Sequence, residues 1–296
     1  MNGVLVVDKP SGPSSHDVVA VFRRATRLQR VGHTGTLDPL ATGVLPLVVG
    51  RATRLAQFLS GADKTYDAEL RLGVTTDTFD ETGTVIASAP LEGPFERAVI
   101  ERTLASFLGT FLQEPPPFSA KSVDGVRAYR LARRRAPVTL KPVPVTVHVL
   151  QLIEAANDRL RVRVVCSAGF YVRALAHAIG QQLGVGATLR SLRRIASGQF
   201  GIESAVSLGM LQESPSAALA RLIPVDRLLP GLPGVVLNEV GARRAAHGNL
   251  IRAEDVEQGA APARGPVRLL DPNGSLLAIA RAGLESGTLR PSVVLV

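Results

Sequence analysis

The chain has 296 residues, 46% of them hydrophobic, so it is long enough for about two domains with real cores and too apolar to be intrinsically disordered. No apolar run approaches the ~20 residues that a membrane-spanning helix needs, and the first residues lack the pattern of a signal peptide. Cys166 is the single cysteine, which excludes an internal disulfide framework and a cysteine-based metal cluster, and we expect a cytoplasmic protein without a membrane partner.

The chain is strongly basic, with a formal net charge of +9 and 30 arginines among its 34 basic residues. Guanidinium groups pair bidentately with phosphate, so this bias favours a polyanionic partner. Basic clusters lie at 23–27, 133–135 and 190–194. Each cluster alone is more typical of a solvated face than of a contact surface. Together they make nucleic acid the leading class of partner.

The first part of the chain predicts short strands separated by helices. Ser14 has the character of a helix N-cap, because apolar residues follow it at helical spacing. Predicted strands cover 3–8, 44–49 and 64–72, and predicted helices cover 51–59 and 94–108. The polar stretch 74–83 carries three carboxylates and could form a calcium loop, but their spacing does not match the EF-hand pattern.

The middle of the chain begins with an irregular, proline-rich segment at about 113–144, which we expect to be an excursion with a short helix at 126–134. Strands at 143–154 and 159–167 follow, and then a helix at 170–183. From about 223, prolines and glycines mark a linker. A helix near 240–246 and strands at 267–270, 276–280 and 293–296 then predict a small β-rich domain.

Strands and helices are interleaved without a regular βαβ repeat. This order favours an α+β fold, with a mixed and largely antiparallel β-sheet flanked by helices. We expect a larger domain at 1–226 and a smaller β-rich domain at 227–296.

The segment 32–43 (GHTGTLDPLATG) has the punctuation of a loop with defined backbone angles. Its one acidic residue is Asp38, followed by Pro39, which disfavours helical backbone at Asp38. Loops held by a rigid scaffold often carry catalytic groups. On its own, however, such a loop favours an Asx turn in which Asp38 caps an amide.

Several segments, in the correct order from Gly3 to about Gly201, resemble the TruB family of tRNA pseudouridine synthases. The segment 32–43 resembles that family's catalytic motif, and 3–12 (GVLVVDKPSG) resembles its N-terminal motif. Further similar segments are 63–66, the acidic loop 76–83, 119–129, 166–173 (CSAGFYVR) and 192–194. By the same resemblance, the last domain would be a PUA-like RNA-binding module, and the excursion at 113–144 would close over the T-arm of tRNA.

The resemblance implies an isomerase that converts uridine 55 in the T-loop of tRNA to pseudouridine on a flipped-out base, with no cofactor and no metal. Asp38 would be the nucleophile, through either direct attack or a glycal. Arg173 would pair with Asp38, and Tyr66 would stack on the base and take part in proton transfer. Tyr171 and Leu192 would line the uridine pocket, while His33 would contact the RNA. Tyr66 and Leu192 are also typical of plain core positions.

Two other classes of function remain open from the sequence. The first is a non-catalytic RNA-binding or tRNA-folding protein on the same scaffold. The second is a small-molecule enzyme with a phosphate-binding loop, although neither GxxxxGK[ST] nor GxGxxG follows a strand. Within the family, an enzyme of a guide-RNA particle is a further alternative. The absence of long basic tails favours the stand-alone bacterial form, which needs no protein partner beyond its tRNA substrate. Because no uniform apolar stripe is left over, we expect a monomer.

Overall fold

The structure is a computed structural model that describes residues 1–116, 141–260, 265–283 and 287–296, with strand pairing alone at 122–123 and 126–127. The strands are β1 (Gly3–Lys9), β2 (Val31–His33), β3 (Thr42–Val49), β4 (Lys64–Leu72), β5 (Val74–Thr76), β6 (Val85–Ser88), β7 (Gly109–Gln113), β8 (Ser122–Val123), β9 (Val126–Arg127), β10 (Val143–Ala156), β11 (Arg159–Cys166), β12 (Ala187–Ser197), β13 (Phe200–Gly201), β14 (Val206–Ser207), β15 (Ile223–Pro224), β16 (Gly234–Leu237), β17 (Val256–Gln258), β18 (Pro266–Leu270), β19 (Leu276–Ala282) and β20 (Leu289–Val294).

The described helices are α1 (Ser15–Thr26), α2 (Ala56–Ser60), α3 (Arg97–Ala105), α4 (Val172–Gln182), α5 (Leu208–Glu213), α6 (Pro215–Leu219) and α7 (Glu239–Ala246). Short 3-10 helices cover Gly50–Leu55, Ile202–Ser204, Val225–Arg227 and Ala253–Asp255. Among the described residues, no helix combines the length and the apolar character that a membrane span requires.

An 11-stranded sheet forms the centre of the molecule, with the main order β14-β1-β3-β12-β4-β11-β10-β7. Most neighbouring strands run antiparallel, and the β1–β14 and β3–β12 pairs run parallel. The predicted α+β fold with a mixed, largely antiparallel sheet is therefore confirmed. Strand β12 lies between β3 and β4, so a late segment of the chain separates two early strands.

Helices cover one face of the central sheet, and a second sheet packs against part of the other face. On the helical side, Phe22, Ile100 and Ile179 share one core with inward residues of the strands. The second sheet has the order β17-β16-β18-β19-β20, and its Ile279 packs in one core with Val4 of β1. The predicted boundary after residue 226 and the PUA-like identity of this part stay predictions.

Most predicted elements lie where the sequence patterns place them. Ser14 caps α1 in a capping box with Asp17, and β4 covers the predicted span 64–72. The expected helix at 94–108 is shorter, because Glu96 is the N-cap of α3 and the last turn ends near Ser106, which leaves Leu108 exposed.

Three other expectations need correction. The segment 32–43 is not a loop throughout, since its first residues end β2 and its last residues begin β3. Strand β5 begins the stretch 74–83 that the sequence predicted as a loop. The helix predicted at 126–134 is wrong at its start, where Val126–Arg127 pairs with Ser122–Val123 as a strand, and its remainder lies outside the described residues.

Candidate active site

The loop that carries Asp38 joins β2 to β3 and is held from several sides. The backbone N–H of Ala41 donates to the Asp38 carbonyl at 3.0 Å and closes a tight turn. Beneath it, the Ser15 hydroxyl on α1 accepts from the Leu37 N–H at 2.8 Å and lies 3.1 Å from the Leu37 carbonyl. Gly43, the second residue of β3, has a φ of +99°, in the left-handed region that favours glycine. The carboxylate of Asp38 is therefore placed by defined backbone bonds.

The Lys9 ammonium lies behind this loop and is fully buried. It donates to the carbonyls of Pro10 at 2.8 Å, Pro13 at 2.7 Å and Pro39 at 3.2 Å. Burial lowers the pKa of Lys9 to about 8, against the opposing attraction of the Asp38 carboxylate. Lys9 thus ties the end of β1 to the residue that follows Asp38.

Arg173, in the first turn of α4, forms an ion pair with Asp38. Its Nε lies 2.9 Å from Oδ2 of Asp38, and its Nη1 donates to the Thr78 carbonyl at 3.0 Å. The Arg173 side chain is only 6% exposed, whereas that of Asp38 is 43% exposed. The guanidinium is therefore a buried support, and the carboxylate that it holds remains accessible to a substrate.

A second carboxylate, Asp80, lies on the other side of Arg173. Its Oδ2 is 3.6 Å from Nη1 of Arg173, and both side chains are 6% exposed. Asp80 also accepts hydrogen bonds from the Thr78 hydroxyl at 2.8 Å and from the Thr82 N–H at 3.0 Å. This is the acidic stretch that could have formed a calcium loop. Its buried carboxylate instead faces an arginine, and among the described residues no group of three or more potential ligands is placed to hold a metal.

A cavity of about 270 Å³ opens beside Asp38 and collects most of the predicted site residues. Its lining includes Asp38, Tyr66, Tyr171, Arg173 and Leu192. Tyr66 and Leu192 are 8% exposed, so both also serve the core as the sequence allowed. Burial raises the pKa of the Tyr66 phenol, which is therefore neutral near pH 7. The cavity thus combines an accessible carboxylate with an aromatic and apolar wall.

His33 is the predicted site residue that does not line this cavity. It ends β2, and its ring stands edge-on to that of His16 at a centroid distance of 5.2 Å. Burial, together with smaller contributions from the neighbouring His16 and Arg194, lowers the pKa of His33 to about 4. A neutral imidazole therefore sits beside the site.

Sequence reasoning missed Arg194, Asp80 and Lys64 as parts of the site. Arg194 belongs to the family-like segment 192–194 and to a basic cluster that, taken alone, is typical of a solvated face, yet it is 1% exposed and lines the cavity. In the same cluster, Arg193 pairs with Asp8 at 2.8 Å. The one signal for Asp80 was its position in the acidic loop. A carboxylate of that loop, if buried, needs a cationic or hydrogen-bonding partner. The cluster at 133–135 lies outside the described residues.

Comparison with known proteins agrees with this geometry. Residues 23–172 match the family model of the TruB family pseudouridylate synthase N-terminal domain, and residues 173–230 match the tRNA pseudouridylate synthase B C-terminal domain. A protein of Solibacter usitatus named tRNA pseudouridine synthase B is 42% identical over the full length of both chains. One of the same name from Burkholderia pseudomallei is 41% identical over 100% of this chain and 97% of its own.

Solved structures with a similar fold come from H/ACA ribonucleoproteins. One is a particle bound to a substrate RNA containing 2′-deoxyuridine, with a TM-score of 0.76, 26% identity, and coverage of 99% of this chain and 85% of that chain. Another is the archaeal box H/ACA Nop10–Cbf5 complex, with a TM-score of 0.74, 26% identity and coverage of 99% and 86%. The family models and the full-length relatives together show that this chain belongs to the TruB family of pseudouridine synthases.

Proposed function

We propose that this protein is a tRNA pseudouridine synthase that isomerises uridine 55 in the T-loop, with Asp38 as the nucleophile. The observation that carries the proposal is the Asp38 carboxylate, 43% exposed at the cavity and held 2.9 Å from the buried Arg173 Nε. The names of the relatives that cover the chain end to end support tRNA as the substrate. Their 41–42% identity, against 26% for the H/ACA proteins, favours a stand-alone monomer over a subunit of a guide-RNA particle.

The reaction breaks the N1–C1′ bond, joins C1′ to C5 of the same uracil, moves a proton onto N1 and removes one from C5. A carboxylate can attack a carbon and later leave, and it can also take a proton in an elimination to a glycal. Both routes need an ionised carboxylate at C1′ or C2′. The Arg173 guanidinium, whose Nε lies 2.9 Å from Oδ2 of Asp38, carries the charge opposite to that of a carboxylate.

Tyr66 supplies the aromatic wall against which a flipped base would stack, and its neutral phenol keeps an O–H for proton transfer. Tyr171 and Leu192 complete the pocket. An enzyme that acts on a base must take it out of its stack, and a half-buried neutral His33 beside the loop suits contact with the RNA around the vacated position. We expect exposed arginines such as Arg24 of α1 and Arg27, the C-cap of that helix, to contact phosphates.

The test measures pseudouridine in an unmodified tRNA transcript, with wild type, Asp38→Asn and Asp67→Asn at equal saturating protein. Asp67 is a matched control because it pairs with Arg163 at 2.7 Å on the opposite face of the sheet. We expect product at position 55 from wild type and Asp67→Asn, and none from Asp38→Asn, with all three binding tRNA in a salt series. A transcript with cytidine at position 55 should yield none.

Two outcomes would overturn parts of the proposal. If wild type binds tRNA but forms no pseudouridine in any transcript, the protein is a non-catalytic RNA-binding or tRNA-folding protein. If Asp38→Asn still forms product at the wild-type rate, Asp38 is not the nucleophile.

A further inference from the structure

Arg194 is among the largest fully buried side chains of the molecule, with 1% of its surface exposed. It lies in β12, where that strand separates β3 from β4. Arg194 is opposite Gly43 in the parallel pairing with β3 and opposite Tyr66 in the antiparallel pairing with β4. One residue thus stands between the end of the Asp38 loop and the tyrosine of the cavity.

The guanidinium of Arg194 holds both ends of the Asp38 loop. Its Nη2 donates to the Gly35 carbonyl at 3.0 Å, and its Nε donates to the Val44 carbonyl at 2.7 Å. These carbonyls lie three residues before and six residues after Asp38. The fit is close, because a Cβ placed on Gly43 would lie 2.1 Å from the Arg194 carbonyl oxygen.

The charge of Arg194 interacts with side chains that line the cavity and not with a paired carboxylate. None of the ion pairs within the described part of the chain includes Arg194. Its charge and a hydrogen bond to Tyr66 lower the pKa of that phenol, against the larger effect of burial. Burial lowers the pKa of Lys64 to about 8, and Arg194 adds to this shift. Burying a cation without a carboxylate partner costs folding free energy, so an arginine at this position needs a reason besides packing.

We propose that Arg194 is a positioning residue of the synthase reaction, which clamps the two ends of the Asp38 loop and orients the Tyr66 hydroxyl from beneath. This inference rests on the proposed function. Arg194 does not replace Arg173, because Arg173 supports the carboxylate itself and Arg194 supports the backbone on either side of it. Lysine at this position would keep the charge, but its single nitrogen cannot occupy the positions of both Nε and Nη2.

The experiment compares Arg194→Lys with Arg163→Lys, a matched change at an arginine that pairs with Asp67 on the far face of the sheet. Single-turnover pseudouridine formation is measured with saturating enzyme in excess over tRNA, together with tRNA affinity and the urea unfolding curve. Under these conditions the rate constant does not depend on the folded fraction, so a merely structural defect leaves it unchanged.

We expect the rate constant of Arg194→Lys to fall about 10²-fold, the loss expected when a reacting group is displaced by ~1 Å. The affinity for tRNA should change by less than about tenfold, and Arg163→Lys should match wild type in both. If Arg194→Lys does not fold, Gly35→Ala replaces it, since it keeps the guanidinium but strains the backbone at φ +99° that accepts the Nη2 bond. Gly12→Ala, at φ +108° with nothing within 4 Å, is its control.

A wild-type rate constant in Arg194→Lys, or in Gly35→Ala where that variant is used, overturns the role of Arg194 and leaves the proposed function intact. Absence of pseudouridine with the wild-type protein overturns the proposed function instead. The two failures are therefore distinct.

Discussion

Asp80→Asn is the change that most directly tests how the site is held together. The substitution keeps the size of the side chain and one acceptor oxygen for the Thr82 N–H, but it removes the charge that faces Arg173 at 3.6 Å. Asp38 lies on the other side of the same guanidinium. We therefore expect Arg173 to lose an anionic neighbour and to shift relative to Asp38.

The magnitude follows from the distance and the burial of this pair. Two unit charges 3.6 Å apart at an effective dielectric constant of about 20 attract by about 4–5 kcal/mol, and loss of one partner of a buried pair costs about 3–5 kcal/mol. If loss of this attraction lets Arg173 move by ~1 Å, the rate constant of pseudouridine formation falls about 10²-fold. That change equals about 2.7 kcal/mol in activation free energy.

The assay is single-turnover pseudouridine formation with saturating enzyme, beside tRNA affinity and urea unfolding. Asp77→Asn is the matched control, because Asp77 lies on the same loop and accepts from the Thr84 N–H at 2.8 Å without contacting Arg173. The reasoning is refuted if folded Asp80→Asn forms pseudouridine at the rate of Asp77→Asn.

Three further outcomes follow from the geometry. Gly43→Ala should destabilise the fold by about 3 kcal/mol or more in urea unfolding, because it adds a backbone clash with Arg194 to a left-handed φ. Gly12→Ala, which has no such clash, should cost only the ~1–2 kcal/mol of backbone strain. Equal costs for the two variants would contradict this prediction. The pKa of His33 falls to about 4 from 6.5, so below pH 6.5 the unfolded chain binds a proton that the native ring refuses. Stability should therefore rise with pH between about 4 and 6.5, and an unchanged pH slope in His33→Gln would disprove the assignment. Removal of residues 227–296 should cause aggregation, measured by sedimentation, because it exposes the apolar residues of β1 that pack against the second sheet. A fragment that stays monomeric and unfolds cooperatively would argue against this prediction.

Local patterns were sufficient to predict the elements whose partners are near in sequence. Ser14 and the apolar stripe after it gave α1, and the alternation of Leu160, Val162 and Val164 gave β11. The motif that carries Asp38, together with its resemblance to a known family, was sufficient to predict the pairing of Asp38 with Arg173. These inferences need only the spacing of residues that are close in the sequence, or a motif that is specific to one family.

The inward orientation of Arg194 could not be predicted in this way. Register shifts in the β12–β4 pairing at Leu189/Ser191 and at Arg194/Ala196 interrupt the alternation of inward and outward residues along β12. The pairing partner, Tyr66, lies far away in the sequence. Between the two shifts, Leu192 and Arg194 share one face of β12, so the apolar Leu192 was the one local signal for an inward Arg194. The arginines around it made the cluster at 190–194 resemble a solvated basic face.

The position of β12 between β3 and β4 also governs when this protein can fold during its synthesis. Strands β3 and β4 leave the ribosome early, and β3 can pair with β1 at once. No pairing joins β3 to β4, however, so the edges that face each other wait for residues 187–197. On the far side of β1 and β3, Leu55 and Leu59 pack in the same core early, but the cover is complete only after Ile279 and Leu295 have been made. The nascent chain therefore carries open strand edges and an incompletely covered apolar face through most of translation, which makes it a natural client for chaperones that bind emerging chains.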